Sequence, residues 1–408
     1  GEAAAACADF DAALEARPDS PEAHFNRGTV LMRLEGPEAA LTAFDRAIAL
    51  KPVYPDALVG RGVALKELRR FDEALASFDQ AIAQNPESAH AHNNKGALQL
   101  LQADFENGLA GYEYRWIVGQ THKFKLEFPI PEWSGKIRAG EKLIVFDEQG
   151  IGDTIQFCRF LSPLAEAGLD ITFFCRSSAF RLMQSLPQHI RCVNTFGPEE
   201  RFDSEIALSS IPYALGTRLS TIPAPVPYLK AEKDLAATWA KRLAEMGSMA
   251  DFKIGLCWAG NPNVKADPER SIPLRNFLPL LTLPGVRVIA VQKHHGLEEI
   301  AGLPKHARLE TLGENFDSGS DAFIDTAAVM QSLDLIVSCD TSVAHLAGAL
   351  GRPTFVLVKN VPDWRWMLDR PDTPWYPTLR LFRQPERGDW ESAVANVVEA
   401  VEQMKSAR

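Results

Sequence analysis

The sequence predicts an α plus α/β multidomain protein: an all-helical repeat array followed by two α/β domains in series. Three observations carry this. Glycine, alanine, phenylalanine and proline recur with a period of 34 over about the first hundred residues. After Pro129-Ile130-Pro131-Glu132-Trp133, apolar runs of about five residues alternate with helical stretches. A Pro-rich segment, Ile222 to Pro227, then divides the α/β part in two. The expected domains are residues 1–118, 119–228 and 229–408.

The repeat is read from register. Gly28, Ala40, Phe44, Ala47 and Pro52 return as Gly62, Ala74, Phe78, Ala81 and Pro86. Backwards the register gives Ala6, Phe10, Ala13 and Pro18; forwards it gives Gly96, with Gly108 and Tyr112 in the alanine and phenylalanine slots. Small residues suit the place where two helices touch, phenylalanine fills the groove between them, and proline stops the second helix. The period and residue types resemble the tetratricopeptide repeat. The first copy lacks its first helix, so the array is expected to be cut at its N-terminus, with the true start upstream of Gly1. Tyr112 to Trp116 reads as a helix docking the array onto the next domain. Such solenoids commonly bind peptide on a concave face. Asn26, Arg27, Asn93, Asn94 and Lys95 lie on first helices and are candidates to line it, against a plain solvated face.

In the α/β part, Leu143 to Asp147 and Ile171 to Cys175 read as strands, and Asp153 to Ala165 and Ala179 to Leu186 as helices. This is βαβ order and implies a parallel sheet. After a helix from Leu235 to Met246, strands are expected at 254–258, 286–291, 335–339 and 354–358. A C-terminal helix, about Trp390 to Met404, is expected to pack across both domains. Two such halves face a crevice at the carboxyl ends of their strands, where doubly wound sheets bind ligands.

Composition narrows the partners. The net charge of -10 opposes a nucleic-acid partner, whose phosphates demand a basic surface. No apolar run reaches the ~18 residues of a membrane span, and Gly1 to Asp11 is not a signal peptide. The cysteines, Cys7, Cys158, Cys175, Cys192, Cys257 and Cys339, form no CxxC pair and read as reduced thiols of a cytoplasmic protein. No His/Cys/Asp cluster has metal-ligand spacing, so no metal and no permanent cofactor is expected.

The strongest motif runs from Ser338 to Pro353. A strand ends at Cys339, Asp340 or Thr341 caps a helix, Gly351 ends it and Pro353 prevents its return. Val343, Leu346, Ala347 and Leu350 follow core spacing; Thr341, His345 and Gly348 lie on the other face. A helix N-terminus at a strand's carboxyl end is an anion site. A diphosphate is therefore expected at Thr341, Ser342 and Val343, with His345 donating to phosphate or sugar. A structural histidine and a plain cap are the competing readings for His345 and Asp340.

The segment Asp340-Thr341-Ser342, with His345, Gly351 and Pro353 at their spacings, resembles the nucleotide-sugar signature of the heptosyltransferase-type enzymes of glycosyltransferase family 9. The resemblance spans roughly Gly140 to Arg387. It implies a GT-B fold of two Rossmann-like domains, acceptor first and nucleotide-sugar second. It also implies an inverting, metal-independent transfer from a nucleoside-diphosphate sugar. Repeats ahead of such a domain are familiar from bacterial chains. The plan is also similar to that of the protein O-GlcNAc transferases.

The resemblance assigns further residues. Glu148-Gln149-Gly150-Ile151-Gly152-Asp153 follows the first strand, with Gly150 and Gly152 permitting a tight turn and close ligand approach. The family has a Gly-Asp here whose carboxylate deprotonates the acceptor. That role falls on Asp153, with Glu148 as alternative and a helix cap as the competing reading. The family's diphosphate clamp corresponds to Asn261, Lys265 and Arg270, after the second domain's first strand. Gln292 and Lys293 end a strand where base or ribose is reached, against a solvated turn. Trp364, Trp366 and Trp375 read either as rings for a sugar or base to stack on or as a packed lid.

The expected function is glycosyl transfer, with the repeats recruiting a protein or peptide. The alternative is a repeat scaffold with a degenerate, non-catalytic module. A nicotinamide-dependent oxidoreductase is disfavoured, because Ile155 replaces the third glycine of the dinucleotide fingerprint.

Overall fold

In a computed structural model, the structure describes residues 2–118, 130–197, 199–248, 251–261 and 268–407, the side chains of residues 2, 177 and 268 excepted. Lys265 lies outside the described residues. The chain divides into two units, one of residues 1–124 and 363–368, the other of residues 125–362 and 369–408.

The first unit is helical: α1 (Glu2–Ala16), α2 (Pro21–Leu34), α3 (Pro37–Leu50), α4 (Pro55–Glu67), α5 (Phe71–Gln84), α6 (Ala89–Leu101) and α7 (Phe105–Tyr112). Proline opens α2, α3 and α4, where its missing N–H costs nothing. Pro18, Pro52 and Pro86 each follow a helix end by two residues, as the repeat requires. Within a pair, the glycine admits the partner's ring. A Cβ at Gly28 would lie 2.8 Å from Phe44 Cε1, and one at Gly62 would overlap Phe78. In the last pair a Cβ at Gly96 would lie 2.7 Å from the Gly111 backbone, so there the glycine admits the partner helix itself. The period also sets an ion-pair ladder: Arg27–Asp11 at 2.6 Å, Arg61–Asp45 at 2.7 Å and Lys95–Asp79 at 2.5 Å. Arg27 and Lys95, candidates for the concave face, are thus ion-paired, and Asn94 donates to His90 O on its own helix.

Residues 113–116 continue from α7 as a short 3-10 helix. The chain returns to this unit at Asp363–Leu368. Trp364 lies edge-on to Tyr112 at 5.6 Å and to Phe105 at 6.4 Å. The Trp364 ring therefore serves repeat packing.

The second unit holds two all-parallel sheets. The first contains β1 (Lys142–Phe146), β2 (Asp170–Phe174), β3 (Arg191–Val193) and β4 (Ser204–Ala207), in the order β3-β2-β1-β4. Its helices are α8 (Ile151–Phe157), α9 (Leu161–Glu166), α10 (Ser177–Met183) and α11 (Ile211–Ala214). The single helix expected over Asp153 to Ala165 is broken: a 3-10 turn, Cys158–Phe160, separates α8 from α9. After α12 (Lys233–Met246) comes the second sheet, with β5 (Phe252–Cys257), α13 (Leu278–Leu281), β6 (Val286–Ala290), β7 (Leu309–Thr311), α14 (Ile324–Met330), β8 (Leu335–Cys339), α15 (Ser342–Ala349), β9 (Thr354–Val358), β10 (Leu379–Arg383) and α16 (Trp390–Ser406). Its order is β10-β9-β8-β5-β6-β7. The buried face of α16 (Trp390, Ala393, Val394, Val397, Ala400 and Val401) belongs to this sheet's core, so α16 serves one domain rather than packing across two.

The predicted plan, repeats followed by two Rossmann-like α/β halves, is the one the structure has. In each sheet the strand order reverses once, between β1 and β4 in the first and between β5 and β8 in the second. These switch points are where a doubly wound sheet opens a crevice at its strand ends. Among the described residues no helix is long and apolar enough to cross a membrane.

Candidate active site

The two switch points meet through α8 and α15. A Cβ at Gly152 would lie 3.0 Å from Ser342 Oγ and 3.4 Å from His345 Cδ2. Gly152, Ser342 and His345, far apart in sequence, are thus brought together. Gly152 is the glycine whose missing side chain matters here. Gly150 has φ -69° and ψ 161°, open to any residue, so the expected tight glycine turn at 150 is not what the structure uses.

Thr341 occupies the N-cap position of α15, yet its side chain makes no capping bond. Its hydroxyl turns back to Ser338 Oγ at 3.2 Å and to Cys257 Sγ at 3.7 Å. The expected cap is therefore absent at Thr341. The first-turn N–H groups of Ser342 and Val343 have no acceptor within their own helix, the general condition of an uncapped N-terminus. The expectation of a two-faced helix also changes. His345 and Gly348 are buried as fully as the apolar stripe, because Tyr376 covers that side: its hydroxyl lies 2.9 Å from His345 Nδ1 and its ring lies flat on Gly348.

Arg270 arrives at the same strand ends by lying across Gly260, where a Cβ would stand 2.7 Å from its Nε. Arg270 and Asp340 both act electrostatically on Cys339 at the end of β8. Among the described residues the half-buried Arg270 guanidinium has no hydrogen-bond or ion-pair partner. Gly260 N donates to Ser271 Oγ at 3.0 Å, which fixes the loop's return. Asn261 is exposed beside it.

Gln292 and Lys293 have different work. Gln292 Oε1 accepts from Trp258 N and Ala259 N, both at 3.0 Å, and its Nε2 donates to Ala259 O and His295 O. Its amide is saturated by backbone and shapes the loop after β5. Lys293 Nζ donates to Phe316 O. Both side chains are thus engaged by the backbone of neighbouring loops.

On the first sheet, Asp153 is half-buried and its Oδ2 accepts from Gly150 N at 3.1 Å. Glu148 is only 2% exposed and accepts from Ser209 Oγ across the β1–β4 switch point. Asp147, beside it, carries a perturbation that sequence reading missed. Burial raises its carboxyl to about 6, against the opposing pull of Arg176, whose N–H donates to both carboxylate oxygens at 3.2 and 3.3 Å. Trp366 and Trp375 are fully buried, so neither presents a face for stacking. A cavity of about 260 Å³ beside Arg181, Lys230 and Glu232 involves none of these groups.

A family model for the tetratricopeptide repeat matches residues 1–55, 26–68 and 59–120. Tetratricopeptide repeats thus occupy the N-terminal part of the chain, ahead of a two-sheet α/β module in which the first turns of two helices meet at the strand ends. Among characterised proteins the chain is similar to Protein FlbA of Caulobacter vibrioides, 27% identical over 316 residues, covering 72% of this chain and 52% of that protein. The chain thus spans about half the length of that relative. A solved structure described as glycosyl transferase family 9, from Veillonella parvula, aligns at 13% identity and TM-score 0.49, over 67% of this chain and 99% of that one. YrrB, described as a tetratricopeptide-repeat protein with an unusual peptide-binding site, aligns at 29% identity and TM-score 0.25, over 27% of this chain and 57% of that one.

Proposed function

We propose that the α/β module transfers a sugar from a nucleoside-diphosphate sugar to an acceptor hydroxyl, with inversion. The observation that carries this reading is the start of α15, where Thr341 makes no side-chain cap, set against Gly152, with the Arg270 guanidinium, which has no hydrogen-bond or ion-pair partner among the described residues, at the same strand ends. Backbone N–H groups, a helix dipole and a guanidinium converging on one place suit a diphosphate. In the transfer, the acceptor oxygen bonds to the anomeric carbon as the bond to the diphosphate oxygen breaks. Asp153 takes the acceptor's proton. The N–H groups of Ser342 and Val343, with Arg270, hold the charge that develops on the leaving diphosphate. Asp153 is preferred to Glu148 because it is half-exposed next to Gly152, whereas Glu148 is enclosed and held by Ser209.

The repeats recruit a protein or peptide, presented to the transferase as acceptor or partner. Exposed Asn26 and half-buried Asn93 are among the polar groups available on the first helices. The six unpaired thiols fit a reducing, cytoplasmic setting.

The test is a thermal-shift series with UDP, GDP and ADP, and CMP as control, on the wild type, Arg270→Ala and His345→Ala. A ligand that binds only the native state raises its melting temperature by mass action. A shift with one nucleotide, lost in Arg270→Ala, supports the reading and names the donor. No shift with any of them sinks it.

A further inference from the structure

Arg270 ends a short 3-10 turn, Pro268–Arg270, and its guanidinium has no hydrogen-bond or ion-pair partner among the described residues. A long side chain without a partner keeps its rotamer freedom unless its surroundings remove it. Its placement at the strand ends therefore comes from its neighbours.

Three contacts fix it. Gly260 supplies the space: a Cβ there would stand 2.7 Å from Arg270 Nε and 3.1 Å from Nη2. On the far side of Arg270, Gly260 N donates to Ser271 Oγ at 3.0 Å and Ile272 N to Trp258 O at 2.8 Å, which ties the chain to the end of β5. On the near side, Glu269 is held by Arg387, 118 residues further on. Arg387 Nε donates to Glu269 Oε2 at 3.1 Å and Nη2 donates to Oε1. Two parallel bonds of this kind fix direction as well as distance. The Arg387 guanidinium also holds the Glu269 carboxyl below its ordinary range, so the pair stays charged.

Arg387 is itself presented from a firm base. Asp389 N donates to Glu386 O at 3.1 Å, closing a turn in which Gly388 takes φ 86°. Asp389 then caps α16 by accepting from Ser392 N at 3.0 Å, and the buried face of α16 lies in the core of the second sheet. From the end of β9, Asn360 Nδ2 donates to Pro385 O at 2.9 Å. Glu269 is thus anchored to the second sheet through Arg387, and the residues on both sides of Arg270 are tied down.

We propose that Gly260, Glu269 and Arg387 are positioning residues: the Glu269–Arg387 pair fixes the turn, and Gly260 leaves the space, that together hold the Arg270 guanidinium at the end of β5 for a nucleoside diphosphate. The identity of the ligand rests on the nucleotide-sugar reading; the placement of Arg270 does not. Charge alone predicts the opposite for Glu269. A carboxylate beside an anion site repels the anion, so its removal would tighten binding. As an anchor, its removal weakens binding.

The experiment is titration calorimetry on the full chain with UDP, GDP or ADP, whichever raises the wild-type melting temperature. Glu269→Ala and Arg387→Ala are each expected to weaken binding about 2- to 5-fold, the scale of an exposed ion pair, at an unchanged melting temperature. Exchanging the charges, Glu269→Arg with Arg387→Glu, restores the affinity. In an Arg270→Ala background, Glu269→Ala causes no further loss. Gly260→Ala, whose methyl would displace the movable guanidinium, weakens binding as well. Unchanged or tighter binding in a cooperatively melting Glu269→Ala overturns the proposal, as does an exchange that binds no better than Glu269→Ala. Should Arg387→Ala not fold, Glu269→Ala and the exchange decide. A second measurement needs no nucleotide. The Arg270 Nε–H signal, assigned by its loss in Arg270→Ala, is expected to show a high nitrogen-15 NOE in the wild type and a lower one in Glu269→Ala and Arg387→Ala. Equal mobility in all three overturns the placement. A wild type that binds none of the three nucleotides counts against the transferase, while the NOE still judges the anchor.

Discussion

Gly348 lies flat on the ring of Tyr376: a Cβ at 348 would stand 2.6 Å from Cγ and 2.8 Å from Cε1. In an open helix, alanine would be better than glycine by up to about 1 kcal/mol. Here the overlap decides the sign, since Tyr376 is fully buried between Arg159 and α15 and has nowhere to go. Gly348→Ala is expected to destabilise by about 1–3 kcal/mol, the usual cost of overpacking. A denaturant melt of the two proteins measures it. A neutral or stabilising result would mean that α15 shifts freely.

Arg270 supports no fold contact by hydrogen bond or ion pair among the described residues. Arg270→Ala is expected to change stability by less than about 0.5 kcal/mol. A charge-assisted hydrogen bond is worth about 1.5–3 kcal/mol, so nucleoside-diphosphate affinity should fall roughly 10- to 150-fold. Titration calorimetry with the nucleotide that stabilises the wild type reads both the loss and any change in stoichiometry.

Asp153 and Glu148 are separated by what each loses. Asp153→Asn keeps an oxygen for Gly150 N but cannot take a proton. Turnover should drop by about 10²–10⁴, the span of general-base catalysis, with the melting temperature nearly unchanged. Glu148→Gln disturbs a buried bond to Ser209 and is expected to lower stability first. Equal turnover losses at full stability in both variants would reassign the base.

Asp147 sets a pH dependence of unusual sign. Its folded carboxyl is raised from 3.8 to about 6 by burial. The folded state therefore binds the proton more tightly than the unfolded chain. The stabilisation this gives is complete below pH ~4 and is lost as pH rises to ~6. At about 1.4 kcal/mol per unit, the swing is on the order of 3 kcal/mol. Asp147→Asn removes the titrating group, so the wild-type minus variant difference in unfolding free energy should decline between those pH values. Urea melts at pH 4 and pH 7 test this, and a difference that rises with pH would refute it.

The repeats were legible because stacking one unit on the next imposes a period on small and large residues together. Gly28 with Phe44 and Gly62 with Phe78 are that period in contact. Strands β1, β2, β5, β6, β8 and β9 showed themselves as apolar runs, being buried on both faces. Strands β3 and β7 span three residues each and β4 carries Ser204 and Glu205, too short or too polar for periodicity to mark. At the site, the start of α15 and the Gly152 approach were readable because strand, turn and helix follow in sequence. Tyr376 against His345 and Arg387 against Glu269 were not, since contacts between residues so far apart in the chain leave no spacing signature. Gln292 and Lys293 stand at the carboxyl end of β6, but what their side chains bond depends on the neighbouring loops, which sequence position does not encode.

The return of Asp363–Leu368 to the first unit has a consequence for synthesis on the ribosome. The repeats leave the exit tunnel first, yet the indole that lies against Phe105 and Tyr112 belongs to a residue translated long afterwards. Until then the nascent chain carries an uncovered aromatic patch, a natural foothold for a holding chaperone. A premature stop before codon 363 leaves that patch without its indole, so the last repeat pair completes its packing only when most of the chain has been made.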